Sequence, residues 1–216
     1  SEIMLQQTRV EAVKPFFERF IKALPDVQAL SEAPEDELLK LWEGLGYYNR
    51  VRNMQKAARV IVSEYGGDFP ADYEKLLSLP GLGHYTAGAV SSIAFGIPMP
   101  AVDGNVLRVL SRVTASYEDV LKQSVKTAME AEVKKIIPAD RAGDFNQALI
   151  EIGAIVCVPN GKAKCEICPL AFLCEAYKKG IVDELPKKKV KKERRIEDRT
   201  ILILKEGDRV GIRKRP

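Results

Sequence analysis

Four cysteines lie within eighteen residues of one another, at Cys157, Cys165, Cys168 and Cys174, and the chain has no others. A disulfide framework usually scatters its cysteines, and the single histidine of the chain excludes a zinc site built from two cysteines and two histidines. Four-cysteine zinc sites usually use two short knuckles, whereas only Cys165 and Cys168 form one here. Wider, unequal gaps between the cysteines suit four thiolates around a cuboidal metal cluster, which is larger than a single zinc ion. The spacing therefore favours a [4Fe–4S] cluster over zinc or four unligated thiols.

Most of residues 1–180 show apolar residues at helical spacing between tight turns. Strand-like alternation is nearly absent before Thr200, which predicts an all-α body. Asp72 is a candidate cap of one short helix, and Gly66 a candidate stop of another. The predicted helices cover 35–42, 49–65, 73–77, 84–95, 105–114, 122–136 and 145–157.

Charge and composition change near the C-terminal end. Residues 1–183 carry 21 basic and 24 acidic side chains, whereas residues 184–216 carry 13 basic and six acidic ones. The global charge therefore does not predict nucleic-acid binding by the body, which would need a local patch or backbone donors. Residues 184–198 are interpreted as a solvated basic linker. The alternative interpretation is a basic arm that contacts DNA phosphates. Residues 200–204 and 209–213 flank Glu206-Gly207-Asp208 and predict a β-hairpin, the first part of a further domain over 199–216.

The segment Leu79-Pro80-Gly81-Leu82-Gly83 lies between two predicted helices. Gly81 and Gly83 allow a tight turn and leave backbone N–H groups free at a helix start, which is a natural anion site. A turn of this kind also occurs as a plain helix–helix connection. Between two short amphipathic helices it resembles a helix-hairpin-helix motif, which binds a DNA phosphate without reading sequence.

The hairpin, the downstream Asp103 in Val102-Asp103-Gly104-Asn105, and the trailing cysteine loop together resemble the endonuclease III-like DNA glycosylases. Residues 1–8 (SEIMLQQT) resemble the catalytic-helix signature of the adenine glycosylase branch, and residues 42–48 (WEGLGYY) its DNA-probing loop. Tyr85 stands where the lyase branch carries its Schiff-base lysine, and no lysine lies between Lys75 and Lys122. The resemblance spans about residues 1–185, and it departs in the first cysteine gap, which has seven residues rather than six.

The resemblance implies a helix-hairpin-helix glycosylase domain over residues 1–183, with the cluster loop at 157–174. Glu2 would protonate the departing adenine, and Asp103 would stabilise the cationic sugar, a division between two carboxyl groups that sugar hydrolases also use. For the acid role Glu2 needs a closed, partly apolar pocket, which Ile3, Met4 and Leu5 beside it are consistent with. By themselves, Glu2 would read as a solvated helix-start carboxylate and Asp103 as a helix cap. Capping and catalysis are compatible, because helix N–H groups stabilise a carboxylate.

Other positions receive roles only through the resemblance. Tyr85 and Asn105 resemble sugar-side supporting groups, and Gln147 resembles a contact to the flipped base, although a structural glutamine is nearly as good a reading. The DNA-contacting positions would be Gln7 as a wedge, Tyr47 as an inserted aromatic, and Thr8, Leu45 and Gly46 near the opposite base, together with the hairpin glycines. Tyr47 and Tyr48 are alternatively core aromatics, and His84 is assigned no catalytic role.

The expected function is removal of adenine opposite 8-oxoguanine or guanine in double-stranded DNA by a monomeric, monofunctional enzyme. An endonuclease III-like glycosylase/lyase and a non-catalytic iron–sulfur DNA-binding protein remain the alternatives. No membrane span or signal peptide is recognisable, so bacterial cytoplasm near the nucleoid is the expected location. The opening residues resemble the middle of a helix, which suggests a truncated chain. In the family that the chain resembles, a C-terminal domain with a Nudix-like fold helps recognise 8-oxoguanine, and residues 199–216 would be only its first strands. The resemblance therefore implies a fragment that removes adenine but discriminates the opposite base poorly.

Overall fold

The computed structural model describes residues 1–189, 197, 198, 200 and 202–211. Helices dominate it, as the sequence predicts. They are α1 (Glu2–Leu5), α2 (Val10–Ala23), α3 (Val27–Glu32), α4 (Glu35–Leu41), α5 (Asn49–Tyr65), α6 (Tyr73–Ser78), α7 (His84–Phe95), α8 (Gly104–Val113), α9 (Gln123–Ile136), α10 (Ala142–Glu151) and α11 (Glu175–Lys178). A π-helical turn, Ile152–Val156, continues α10, and short 3-10 turns cover Cys165–Ile167 and Val182–Glu184. None of the described helices is long and apolar enough to cross a membrane.

Helix α5 is the scaffold of the N-terminal half. It ends at Gly66, whose φ of 65° provides the left-handed cap that glycine adopts without strain. Helix α3 packs along it, and α1 contacts both α5 and α7. One apolar cluster joins α1, α2, α4 and α5, with Met4, Phe20, Leu38 and Trp42 at its centre. The edge-to-face packing of Phe20 on Trp42, with ring centroids 6.0 Å apart, fixes how α2 lies on α4.

Helices α6 and α7 form the predicted helix-hairpin-helix. Asp72 caps α6 by accepting the Lys75 backbone N–H at 2.9 Å, as the sequence indicated. Gly81 in the connecting turn has a φ of 82°, and a side chain there would collide with Asn53 of α5 at 2.6 Å. Glycine is therefore required at this position both by backbone conformation and by space.

A strap of residues 99–102 connects α7 to α8. Gly88 of α7 allows it to lie close, because a Cβ atom at that position would stand 2.0 Å from the Pro100 carbonyl oxygen. The fully buried Asn146 of α10 accepts the Ala101 N–H and donates to the Met99 carbonyl oxygen and to Ser92. The strap therefore fixes the position of Asp103, the residue directly before α8.

Two predictions of local structure need correction. The predicted 145–157 helix changes to a π-helical turn at Ile152, where the Cys157 N–H returns to the Ile152 carbonyl oxygen at 2.6 Å. The first hairpin strand is displaced: β1 is Lys205–Glu206, beyond the predicted 200–204, whereas β2 is Arg209–Val210, the start of the predicted second strand, and the two pair antiparallel with Glu206 opposite Arg209. Ile201 and residues 212 and 213 of those strands, and residues 190–196 of the linker, lie outside the described residues.

Candidate active site

Glu2 and Tyr85 meet although they are 83 residues apart in sequence. The Tyr85 hydroxyl group, on the second residue of α7, donates a hydrogen bond of 3.0 Å to Glu2 Oε2. Both side chains are partly buried. Burial, and then the nearby carboxylates of Glu2 and Asp103, raise the pKa of Tyr85 well above its ordinary value. Tyr85 is therefore a neutral hydrogen-bond donor at any physiological pH.

Asp103 caps α8 with both carboxylate oxygens in use. Oδ1 accepts the backbone N–H groups of Asn105 and Val106, each at 2.8 Å, and Oδ2 accepts the Asn105 side-chain amide at 2.8 Å. The capping role considered from sequence is confirmed. Three hydrogen bonds fix the orientation of this carboxylate, and the helix N-terminus adds positive potential around it.

A cleft of about 730 Å³ opens beside these groups. Asp103, Gly104, Tyr85 and Thr86 form one wall, and the turn after α1 and the loop after α4 form the opposite one, with Gln7 and Tyr47. No lysine is among the described residues that line it. The cleft thus has carboxylate, phenol and amide groups but no amine nucleophile.

Glu2 lies behind Tyr85 and lines a second cavity, of about 490 Å³, with mostly apolar walls. Ile3, Met4, Phe17 and Leu82 are among its lining residues. The partly apolar surroundings that the acid role requires are therefore present around Glu2. A carboxyl group between an apolar cavity and a polar cleft is a suitable place for a proton donor.

The two segments opposite Asp103 have unusual backbone conformations. Gln7 and Tyr47 have φ angles of 57° and 48°, which residues with a side chain seldom adopt. Tyr47 is 63% exposed, so it is not a core aromatic. Strained, exposed side chains at the rim of a cleft are typical of functional positions.

The remaining predicted DNA contacts are divided by the structure. Gly46 is partly buried and directly precedes Tyr47, whereas the Leu45 side chain is buried in the core at 7% exposure and its carbonyl oxygen accepts from Arg50. Thr8 is half-buried and follows the turn. In the hairpin, Gly81 and Gly83 are exposed, and no side chain caps the N-terminus of α7. Backbone donors are therefore available there for an anion.

Gln147 is not brought to the cleft. It is exposed on α10, whereas its neighbour Asn146 is the buried amide that holds the strap. The helical register explains the difference, because adjacent residues face directions about 100° apart. The predicted base contact from Gln147 has no geometric support in this conformation.

The four cysteines line one cavity, together with Arg112, Val109 and Leu170. All four are free of disulfides. Burial, and then the proximity of the other three thiols, raise the pKa of Cys165. The Arg112 guanidinium donates to Cys157 Sγ at 3.2 Å, which supplies a positive partner for thiolates. Four convergent thiols, apolar walls and a buried cation fit an iron–sulfur cluster.

The described residues contain no group of three or more His, Cys, Asp or Glu side chains arranged to hold a single metal ion.

Sequence reasoning missed three buried arginines, Arg50, Arg108 and Arg112. Arg108 donates to the Cys157 carbonyl oxygen at 2.7 Å and to Asn105 Oδ1 at 3.0 Å, and Asn105 in turn holds Asp103. A continuous hydrogen-bonded path thus joins the cysteine loop to the cleft. The sequence did contain one sign of this role. Arg108 lies between the apolar residues Leu107 and Val109, and a charge that is buried among apolar residues needs hydrogen-bonding partners.

Comparison with known proteins gives the same picture. The family model described as "HhH-GPD superfamily base excision DNA repair protein" matches residues 1–138. Adenine DNA glycosylases are similar over most of the chain: that of Buchnera aphidicola subsp. Baizongia pistaciae is 40% identical over 89% of this chain and 54% of its own length. The human protein of that name is 45% identical over 82% of this chain and 32% of its own length. The chain thus spans about a third to a half of the curated relatives that it matches.

Solved structures agree on the fold. A thermostable thymine-DNA glycosylase superimposes with a TM-score of 0.71 at 32% identity, covering 82% of each chain. A trapped endonuclease III–DNA covalent intermediate superimposes equally well, at 30% identity over 83% of each chain.

Proposed function

Because the chain belongs to the HhH-GPD superfamily of base excision DNA repair proteins, we propose that it is a monofunctional DNA glycosylase that releases adenine mispaired with 8-oxoguanine or guanine. The observation that carries the proposal is the Tyr85–Glu2 hydrogen bond beside a capped Asp103, in a cleft whose described lining has no lysine. The similarity to proteins named adenine DNA glycosylase supports the choice of base.

The reaction requires the adenine to leave the base stack and enter the cleft. Protonated Glu2 donates its proton to a ring nitrogen of the base, and the C1′–N9 bond then breaks with its electron pair on the base. Ionised Asp103 stabilises the positive charge that develops on the sugar. Water then attacks C1′ and returns its proton to the Glu2 carboxylate, so that the cycle closes.

Supporting groups hold the two carboxyl groups in different surroundings. Tyr85 donates to Glu2 and orients it, while the Asn105 side chain and the first backbone N–H groups of α8 donate to Asp103. Glu2 borders an apolar cavity, whereas Asp103 stands at a helix terminus, and sugar hydrolases likewise place their two carboxyl groups in unlike surroundings.

Duplex DNA would bind across the cleft mouth. The uncapped start of α7 at Gly83 provides backbone donors for one phosphate, which explains how a body with more acidic than basic residues binds DNA. Gln7 and the exposed Tyr47 would enter the duplex near the vacated position, with Thr8 and Gly46 beside them. Such an enzyme acts at the chromosome, as a monomer.

Cys157, Cys165, Cys168 and Cys174 would hold a [4Fe–4S] cluster, which when bound ties the cysteine loop together. Arg112 would compensate part of its negative charge. The cysteine loop packs against α8, whose first turn holds Asp103. We place the glycosylase domain at residues 1–183, a basic linker at 184–198, and the first part of a further domain at 199–216.

The proposal is tested by single-turnover assays with adenine opposite 8-oxoguanine, guanine and thymine. We expect release of free adenine from the first two duplexes and little from the third. Borohydride trapping should yield no covalent adduct, because the cleft lacks an amine. Efficient trapping on oxidised pyrimidines would instead support a glycosylase/lyase, and binding without turnover would support a non-catalytic protein.

A further inference from the structure

Arg50 connects two chain segments that lie beside the cleft, α1 with the turn after it and the loop after α4. It lies in the first turn of α5 and is 8% exposed. Its guanidinium donates to the carbonyl oxygens of Ile3 at 3.3 Å, Met4 at 2.8 Å and Gln6, which belong to α1 and the turn after it. It also donates to those of Leu45 and Gly46, each at 3.3 Å, in the loop after α4.

A guanidinium suits this position because its two terminal nitrogens point in different directions. Nη1 donates to the α1 side and Nη2 to the loop after α4, while Nε is buried without a partner. A lysine ammonium group is a compact point charge on a single nitrogen and lacks this fork. The Arg50 guanidinium carbon also lies 5.3 Å from the Trp42 ring centroid and 5.5 Å from that of Tyr47. Cation–π contact and carbonyl partners together compensate the cost of burying the charge.

Two of the five carbonyl groups that Arg50 holds directly precede the two strained residues. Gln6 precedes Gln7, and Gly46 precedes Tyr47. Gln7 and Tyr47 both have left-handed φ angles. Such conformations persist only where the surroundings over-determine them. A carbonyl oxygen lies in the same peptide plane as the N–H group of the next residue. By holding the carbonyl groups of Gln6 and Gly46, the Arg50 side chain therefore sets the direction in which Gln7 and Tyr47 project.

We propose that Arg50 is a positioning residue for base extrusion, which aligns Gln7 and Tyr47 as a single wedge into the duplex. This rests on the proposed function. Arg50 does not touch the reacting atoms; it holds two loops in register so that they enter the stack together. Loss of the register slows extrusion while leaving phosphate binding at the hairpin intact.

A purely structural role is distinguished by a matched control on the same helix. Gln55 of α5 is 5% exposed and donates to the carbonyl oxygens of Leu30 and Ala33, at 3.2 and 2.7 Å, on the side of α3. Gln55→Leu therefore breaks a comparable buried link without touching the cleft. A milder second variant is Trp42→Phe, because Trp42 Nε1 donates to the same Gly46 carbonyl oxygen at 2.9 Å.

In the test duplex, the target adenine stands opposite 8-oxoguanine, and 2-aminopurine is placed directly 3′ to that adenine. The fluorescence of 2-aminopurine is recorded as the target adenine leaves the stack. Wild-type protein, Arg50→Lys, Trp42→Phe and Gln55→Leu are compared below their melting temperatures. We expect Arg50→Lys to lose most of the fluorescence rise and to release adenine about tenfold or more slowly. Affinity for undamaged duplex should not change, Trp42→Phe should show a smaller loss of the same kind, and Gln55→Leu should show none.

Unchanged extrusion and rate in folded Arg50→Lys would overturn the inference while the proposed function stands. Should Arg50→Lys fail to fold, unchanged extrusion in Trp42→Phe would overturn it equally. An equal loss in Gln55→Leu at matched stability would also overturn it, since the effect would then be general. A wild-type protein that releases no adenine from any duplex would overturn the proposed function and with it this inference.

Discussion

At the scale of single residues, the site assigns different electrostatic surroundings to two carboxyl groups. Asp103 receives three hydrogen bonds and stands at a helix N-terminus, whereas Glu2 receives one from Tyr85 and borders an apolar cavity. The first arrangement holds the carboxylate rigidly through several donors, whereas the second leaves Glu2 with one donor beside apolar walls. Sequence reasoning anticipated both positions through motif context, and the cap at Asp103 from local pattern alone. Sequence reasoning could not anticipate the role of Arg50. Three of its five hydrogen bonds go to carbonyl groups more than forty residues away in the chain.

The buried phenol of Tyr85 predicts a specific loss of stability in alkali. Its pKa is raised in the folded chain, so the unfolded chain releases the proton first, near pH 10, and the free energy of unfolding falls as pH rises past that point. Below that pH both states hold the proton and Tyr85 contributes no pH dependence. Tyr85→Phe should therefore lose less stability than wild type between about pH 9 and 11.

Denaturant unfolding at a series of pH values measures this difference. Tyr177→Phe, at a tyrosine that is 43% exposed, is the matched control and should follow wild type. Parallel pH profiles for Tyr85→Phe and wild type would show that the phenol is not buried as the structure has it.

At the scale of elements, helix α8 is the link between the cleft and the cysteine loop. Its first turn holds Asp103, and its inner face presents Arg108 and Arg112 to the Cys157 backbone and thiol. Local sequence predicted several elements well: α5 and α7 have the predicted bounds because glycines stop both helices. Helix α2 was not predicted; it carries Pro15, which interrupts the helical pattern. The π-helical turn was missed because it depends on the close approach of two helices: a Cβ atom added at Gly153 would lie 2.6 Å from Asn105 Cβ.

Removing Arg108 should impair both ends of α8. Arg108→Met keeps the length of the side chain but leaves the carbonyl oxygens of Cys157 and Gly153 without their donor. Unpaired buried acceptors cost about 1–3 kcal/mol each, so unfolding free energy should fall by a few kcal/mol. Adenine release should slow as well, because Asn105 loses the contact that orients its amide toward Asp103.

Thermal unfolding and single-turnover rates check this in one preparation. Arg141→Met provides the control, since Arg141 forms only an exposed ion pair with Asp144 of the next turn. A rate in folded Arg108→Met equal to that of wild type would contradict the link.

At the scale of the whole molecule, the cleft lies between segments that are distant in sequence. The turn after α1 and the loop before α5 line one part of it, and the starts of α7 and α8 line the other, with α1 packed against both α5 and α7. The all-α class and the hairpin turn followed from periodicity and glycine placement. The apolar cavity beside Glu2 did not, because it arises between elements distant in sequence, and no local pattern records their relative placement.

Replacing one cysteine should separate the cluster from the rest of the fold. Cys168→Ser should lower iron and sulfide content together, remove the brown colour, and destabilise the region that packs on α8. Zinc in place of iron in the wild-type protein, determined by elemental analysis, would contradict the cluster assignment. Ser116→Ala, at a site outside the cysteine loop, should retain full iron content.

The central claim, an acid–base reaction at Glu2 on extruded adenine, is tested most directly by the single-turnover rate of adenine release from a duplex with 8-oxoguanine opposite the target. Wild-type protein should release free adenine, whereas Glu2→Gln should bind the duplex with unchanged affinity and release adenine about a hundredfold or more slowly. Equal rates for Glu2→Gln and wild type at equal occupancy would contradict the claim.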